Sequence, residues 1–335
     1  MTKFPLAQEQ DKGYNIKMFR ILFNRFFPNF NFSKSSIGLD ISDESVKFIE
    51  LIKTKNSIRI SRYGERKIPL GVIKAGKIVD QEWLEQILML LRKEEGIKSA
   101  HISLPCELLD KNEQNLEIEI SDMLESVIGE YLSAFRNSNI YTKSLEFEAK
   151  AISQSIIKKG DRDTYMIVDF GQKRTGIFIV SSGVLVFTSV LEFSGKELTN
   201  LIKEKLNVSF VEAEKMKKES GLKRNSTNTE LSKILLNGFS ILRDEINKHF
   251  VYWHLYKNEN GKENPPISKI ILCGSDSNIA GLSEYLSVAM RNKVELANVW
   301  TNVLDTDKLI PEINFEESFM FAPALGIALN GFKKK

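Results

Sequence analysis

The chain has 335 residues, of which 42% are hydrophobic and 27% charged, the make-up of a folded protein of one large or two medium domains and not of a disordered chain. Residues 1–36 carry six basic and two acidic side chains, so the net charge of +3 leaves the rest of the chain near −1 and without the basic footprint of a nucleic-acid binder. Two cysteines, Cys106 and Cys273, exclude a disulfide-stapled scaffold and point to a reducing, cytoplasmic setting. No run reaches the roughly 18–20 apolar residues of a spanning helix, and no export signal opens the chain.

Residues 1–16 read as unstructured. In the Lys17 to Phe27 stretch, Met18, Phe19, Leu22, Phe23 and Phe26 share one helical face opposite Arg20, Asn24 and Arg25, and Pro28 stops the pattern. A short basic amphipathic helix suits an anionic membrane surface or a partner; packing back on its own domain is the alternative.

From Ser36 the pattern alternates. Residues 37–41, 45–51 and 57–61 predict three antiparallel strands, residues 83–93 a helix and 100–105 a strand. After a short connection from Cys106 to Ile120, residues 121–135 predict another helix. The strand order then returns at 165–170, 176–180 and 184–187, with Gly195 opening a helix through Leu206. Residues 223–230 and 258–266 are polar loops around a long amphipathic helix at 231–256. A repeated α/β unit predicts a duplicated fold with a cleft between the copies.

Three turns carry chemistry. Gly38-Leu39-Asp40-Ile41-Ser42-Asp43-Glu44-Ser45 places an aspartate near a strand end before a tight turn, where backbone N–H groups and hydroxyls can surround a phosphate and the aspartate can hold a hydrated divalent cation. Any hairpin with Asp and Ser looks similar. The order recurs in Asp169-Phe170-Gly171-Gln172-Lys173-Arg174-Thr175-Gly176, and two such turns facing each other would clamp a polyphosphate. The third, Cys273-Gly274-Ser275-Asp276-Ser277-Asn278, joins a buried strand to a helix through small residues that let a flat base approach.

All three, in order and on matching elements, resemble the actin-like ATPase superfamily, and within it the type IV pilus assembly PilM family over roughly residues 37–332. The segments that carry the closer likeness are Gly76-Lys77-Ile78-Val79-Asp80, Leu145 to Ile152, Val211 to Lys217 and Ala322-Pro323-Ala324-Leu325-Gly326-Ile327-Ala328-Leu329. The resemblance implies a ribonuclease H-like, duplicated two-domain α/β fold: an extension at 1–35, domains at 36–160 and 161–309, and a segment at 310–335 that returns to the first domain. It implies ATP or ADP in the cleft, with Asp40 and Asp169 holding Mg²⁺ through waters. Ser42, Asp43, Glu44 and Ser45, Gly171, Gln172, Lys173, Arg174 and Thr175, and Gly195 would line the phosphates. Glu214 and Lys217, on one helical face, would meet ribose and base, and Gly274, Ser275, Asp276 and Asn278 would border adenine. Glu148 is the candidate for orienting an attacking water. The implied partner is the short cytoplasmic tail of a PilN-like inner-membrane protein, with residues 17–27 as a peripheral membrane contact.

Three departures bear on this expectation. Ser42-Asp43-Glu44 stands where the family has glycine and small hydroxyl residues, and two carboxylates there oppose a γ-phosphate. The adenosine turn keeps only Gly274 of its glycines. The connection 106–120 is too short for the small extra subdomain that borders the partner groove in the family. A slow or absent ATPase is therefore expected. The alternatives are a nucleotide-free scaffold or a division or shape protein resembling FtsA or MreB.

Gly195-Lys196 is followed by Glu197, so there is no P-loop. No histidine–cysteine spacing suits structural zinc, and His101 reads as a core residue. No Gly-x-Ser-x-Gly nucleophile turn occurs.

Overall fold

A computed structural model describes residues 35–55, 57–109, 117–222, 229–255, 261–304 and 310–333. The expected amphipathic helix at 17–27 lies outside them. Among the described residues no helix is long and apolar enough to cross a membrane.

The first half begins with β1 (Ser35–Ile41), β2 (Ser45–Lys53) and β3 (Ile58–Lys67), the antiparallel meander that alternation predicts. β3 runs six residues past the expected end, because Arg62, Glu65 and Arg66 make it a charged edge strand without an apolar stripe. A hairpin of β4 (Ile73–Lys74) and β5 (Lys77–Ile78) leads to α1 (Gln81–Glu95), capped by Asp80, whose carboxylate accepts from the Trp83 N–H at 3.1 Å, and ended by Gly96 at φ 64°. Then come β6 (Ser99–Leu104), a 3₁₀ turn (Cys106–Leu109), α2 (Glu117–Asn137), β7 (Tyr141–Phe147) and α3 (Glu148–Ile156). β7 was not expected: Tyr-Thr-Lys-Ser-Leu-Glu-Phe has little apolar alternation, and parallel pairing with β6 holds it in place.

The second half repeats the plan with β8 (Thr164–Phe170), β9 (Thr175–Ser181), β10 (Val184–Leu191), α4 (Gly195–Leu206), α5 (Phe210–Ser220), α6 (Thr229–Leu255), β11 (Ile267–Cys273), α7 (Leu282–Met290) and β12 (Val294–Leu296). The sheet orders are β3-β2-β1-β6-β7 and β10-β9-β8-β11-β12. In each sheet a three-stranded antiparallel meander continues through two parallel strands, so the duplication read from the sequence is one of topology. After β12 come α8 (Phe315–Ser318), α9 (Ala322–Ala328) and a 3₁₀ turn (Leu329–Phe332).

Three apolar clusters hold this arrangement. Leu84 and Leu88 of α1 and Tyr131 and Phe135 of α2 cover the outer face of the first sheet, and Leu198, Leu235, Phe239 and Leu282 cover that of the second. The third cluster joins the sheets: Ile49 and Leu51 meet Ile167 and Phe178 through Ala149 and Ile152 of α3 and Ala324 and Leu325 of α9. Close approach there depends on missing side chains, since a methyl at Gly326 would overlap the Ala151 carbonyl and one at Gly38 would overlap that of Ala324. α3 and α9 thus form the floor on which the two strand–turn–strand units face each other.

Candidate functional site

Asp40 and Asp169 occupy equivalent places, each one residue from the end of the first strand of its sheet. Asp40 lies opposite Lys47 and Ser103, and Asp169 opposite Gly176 and Cys273. Asp40 is 3% exposed and its Oδ1 makes no hydrogen bond. Burial, and then the charge of Glu148, push both carboxyls up to about 7, with Lys47 and Arg174 pulling the other way.

The first turn is occupied with its own closure. The Ser42 N–H donates to the Ser45 carbonyl at 3.0 Å, and the Ser42 hydroxyl bonds both the N–H and the carbonyl of Ser45 at 3.2 Å. The Ser45 hydroxyl accepts from Lys47 Nζ at 2.9 Å. Asp43 turns to the β4–β5 hairpin, accepting from the N–H groups of Ala75 at 2.9 Å and Gly76 at 3.1 Å. Glu44 crosses to the second turn and pairs with Lys173 at 3.1 Å.

The second turn is likewise bonded within itself and to the start of α4. The Gly171 N–H donates to the Arg174 carbonyl at 3.0 Å, while the N–H groups of Gly195 and Lys196 donate to the carbonyls of Gly171 and Gln172, both at 2.9 Å. The Thr175 hydroxyl donates to the Phe193 carbonyl at 2.6 Å. Arg174 lies half-buried between carboxylates of the first half: its Nε meets Glu107 at 2.6 Å, and its Nη2 pairs with Glu148 at the start of α3. Burial works against its charge, yet Glu148 and Glu107 outweigh this and hold the guanidinium more firmly protonated. Glu107, pushed by burial and relieved by Arg174, stands at about 7.

A second cluster lies under the third turn. Lys217 is completely buried and its ammonium reaches the Gly195 carbonyl at 3.0 Å, the Thr199 hydroxyl at 2.9 Å, Glu214 at 2.8 Å and Asp276 at 2.6 Å. Glu214 also accepts from Thr199 at 2.5 Å; partial burial would raise its pKa, but the bonds from Lys217 and Thr199 prevail and lower it. The Asp276 carboxylate covers Gly195, leaving no room for a methyl there. Gly274, at φ 95°, lets the chain pass Asp169, whose Oδ1 would lie 2.6 Å from a Cβ at that position. Ser275 is exposed and Asn278 half-buried in the same turn.

Asp40, Asp169, Glu148 and Arg174 are thus brought together, and so are Glu214, Lys217, Asp276 and Gly195; Asp43 is directed elsewhere. Glu107 and Thr199 escaped the sequence reading, for neither stands in a motif and each acquires its role through a residue 67 or 18 positions away. Among the described residues no group of three or more His, Cys, Asp or Glu side chains is placed to share a metal ion. The residues expected to hold Mg²⁺, Asp40 and Asp169, already feel the positive charge of Arg174, which opposes a divalent ion beside them.

A family model described as type IV pilus assembly protein PilM matches residues 139–332. Among solved structures, a chain of the PilM–PilN type IV pilus biogenesis complex aligns with 91% of this chain and 100% of its own length, at 17% identity and a TM-score of 0.64. The ethanolamine utilization protein EutJ of Carboxydothermus hydrogenoformans aligns over 95% and 99% at 16% identity and 0.58. MreB5 of Spiroplasma citri bound to ADP aligns over 90% and 99% at 16% identity and 0.56. At these identities the likeness establishes the fold, which is actin-like.

Proposed function

The chain belongs to the type IV pilus assembly protein PilM family, and from that premise we propose that it is a cytoplasmic adaptor that docks on the tail of a PilN-like inner-membrane protein. In this reading residues 36–160 and 161–309 are its two domains, 310–335 return to the first, and 17–27 contact the membrane surface or a partner. The cleft holds adenine nucleotide as a conformational ligand and does not hydrolyse it. The observation that carries the last point is Glu148: the carboxylate expected to orient an attacking water is paired with Arg174, while Glu107 holds the other side of the same guanidinium. A base must be free to accept the proton of the water it activates. Support for the partner comes from the similarity to a chain solved as a PilM–PilN complex.

The test joins two measurements. A peptide with the cytoplasmic tail of the PilN-type protein encoded beside this chain should bind the purified protein, and calorimetric titration should detect ATP and ADP. Phosphate release should stay at background and be unchanged in Glu148→Gln. Failure of the tail to bind would defeat the adaptor reading. Steady turnover that Glu148→Gln abolishes would defeat the non-hydrolytic one.

A second reading is a scaffold with no nucleotide at all. It is favoured by the donors of both turns, since the hydroxyls of Ser42 and Thr175 and the N–H groups of Gly171, Gly195 and Lys196 are engaged within the protein. Absence of detectable ATP or ADP binding by folded protein decides for it.

A further inference from the structure

The mismatch between the acidic cleft and a divalent ion has its own explanation in the chain. We infer that Arg174 is the resident cation of the cleft, taking the charge-balancing place that a metal ion would fill and, with Lys173, latching the β8–β9 turn to the first half of the protein.

The geometry is that of a built site. Four carboxylates, Asp40, Asp169, Glu107 and Glu148, come from β1, β8, the 3₁₀ turn after β6 and the start of α3, so both halves of the molecule contribute. Arg174 touches two of them directly, Glu107 at 2.6 Å and Glu148 through its Nη2, and its charge acts on Asp40 and Asp169 as well. Its side chain is only 16% exposed, which removes most of the solvent screening that makes surface pairs weak. A guanidinium is the cation suited to this position: it is planar, always charged, less strongly hydrated than an ammonium and able to serve two carboxylates at once. Mg²⁺ instead needs near-octahedral oxygen ligands and keeps several waters, and Glu107 and Glu148, already paired with Arg174, are not free to orient that shell.

The latch follows from where the partners sit. Arg174 and Lys173 belong to the second sheet, whereas Glu107, Glu148 and Glu44 belong to the 3₁₀ turn, α3 and the β1–β2 turn. Three ion pairs therefore cross the cleft without any ligand. Arg174 Nη1 is buried and makes no hydrogen bond.

The test needs neither nucleotide nor pilus partner, so failure of the proposed function leaves it standing. Thermal unfolding of the full chain is followed in about 10 mM MgCl₂ and in EDTA, for wild type, Arg174→Gln and Arg174→Lys; an ion that binds only the folded state raises Tm. Wild type should unfold at the same temperature in both, within about 1 °C. Arg174→Gln should unfold earlier in EDTA and regain several degrees with Mg²⁺, as the unbalanced carboxylates take up the ion. Arg174→Lys, which keeps the charge and loses the fork, should stay unresponsive to Mg²⁺. Stabilisation of wild type by several degrees with Mg²⁺ would overturn the inference, and this arm holds even if Arg174→Gln does not fold. A folded Arg174→Gln with unchanged Tm and no response to Mg²⁺ would overturn it too.

Discussion

Lys217 and Asp276 form an ion pair of 2.6 Å in which the two side chains are 0% and 2% exposed. It ties α5 to the turn after β11, and through the Gly195 carbonyl to the start of α4. Charges taken this far from water stay there only while each has its partner. Removing Lys217 leaves Asp276 uncompensated, at a cost of about 3–5 kcal/mol. Lys217→Met should therefore lower the unfolding free energy by about that much in urea titration, and Asp276→Asn by less, because Lys217 keeps Glu214 at 2.8 Å. Lys217→Met combined with Asp276→Leu should lose less than the two single losses added together. A Lys217→Met protein as stable as wild type would refute this account of the pair.

Glycines separate close packing from free space. Gly326→Ala forces a methyl onto the Ala151 carbonyl between α9 and α3, where backbone cannot swing aside, and should cost at least about 3 kcal/mol or prevent folding. Gly129, inside α2, has nothing within 4 Å of the same position. Gly129→Ala should stabilise by about 0.5–1 kcal/mol through helix propensity. Paired Tm measurements check both signs.

Asp43 holds the β4–β5 hairpin from the far side of the first turn. Loss of its two charge-assisted bonds to Ala75 and Gly76 in Asp43→Ala should destabilise the protein by about 1.5–3 kcal/mol. Because the carboxylate faces the hairpin, any ATP or ADP affinity should remain within a factor of about two of wild type. A marked gain in nucleotide affinity would instead identify Asp43 as a repulsive group in the cleft.

His101, between Gly331 and Ser144, is held neutral. Burial, with Lys143 adding to it and Glu146 opposing, lowers its pKa from 6.5 to about 3, and its Nδ1 lies 2.7 Å from the Ser144 hydroxyl. Between those values the unfolded chain binds a proton that the native protein does not, so stability falls as pH drops below 6.5. The contribution lost by pH 5 is about 2 kcal/mol. The cleft carboxyls of Asp40, Asp169 and Glu107 act in the opposite sense: raised to about 7, they bind protons in the native state first and add stability as pH falls from 7. The difference between wild type and His101→Gln isolates the histidine, and its slope should be positive with pH from 5 to 7. A flat difference would contradict the assignment.

What the sequence alone determined is what is written inside single elements. Alternation at 37–41 and 165–170, the 3.6-residue period of α1 and α6, and the Asp-turn-strand order at Asp40 and Asp169 are local, since a side chain's burial along a strand or helix follows from its neighbours two to four places away. The duplicated α/β plan, with a cleft between the copies, was legible for that reason, and its actin-like identity came from the resemblance of the turns and segments to that superfamily. β7 was not, because its strand state comes from pairing with β6 more than from its own composition. Only the tertiary structure decided the chemistry of the cleft. Glu148 looked like a base and Arg174 like one more turn residue until the fold put the guanidinium between Glu148 and Glu107, largely out of solvent. Lys217 and Asp276, 59 positions apart, became one buried pair in the same way. Coulomb interactions depend on distance in space and on desolvation, and neither is encoded in spacing along the chain.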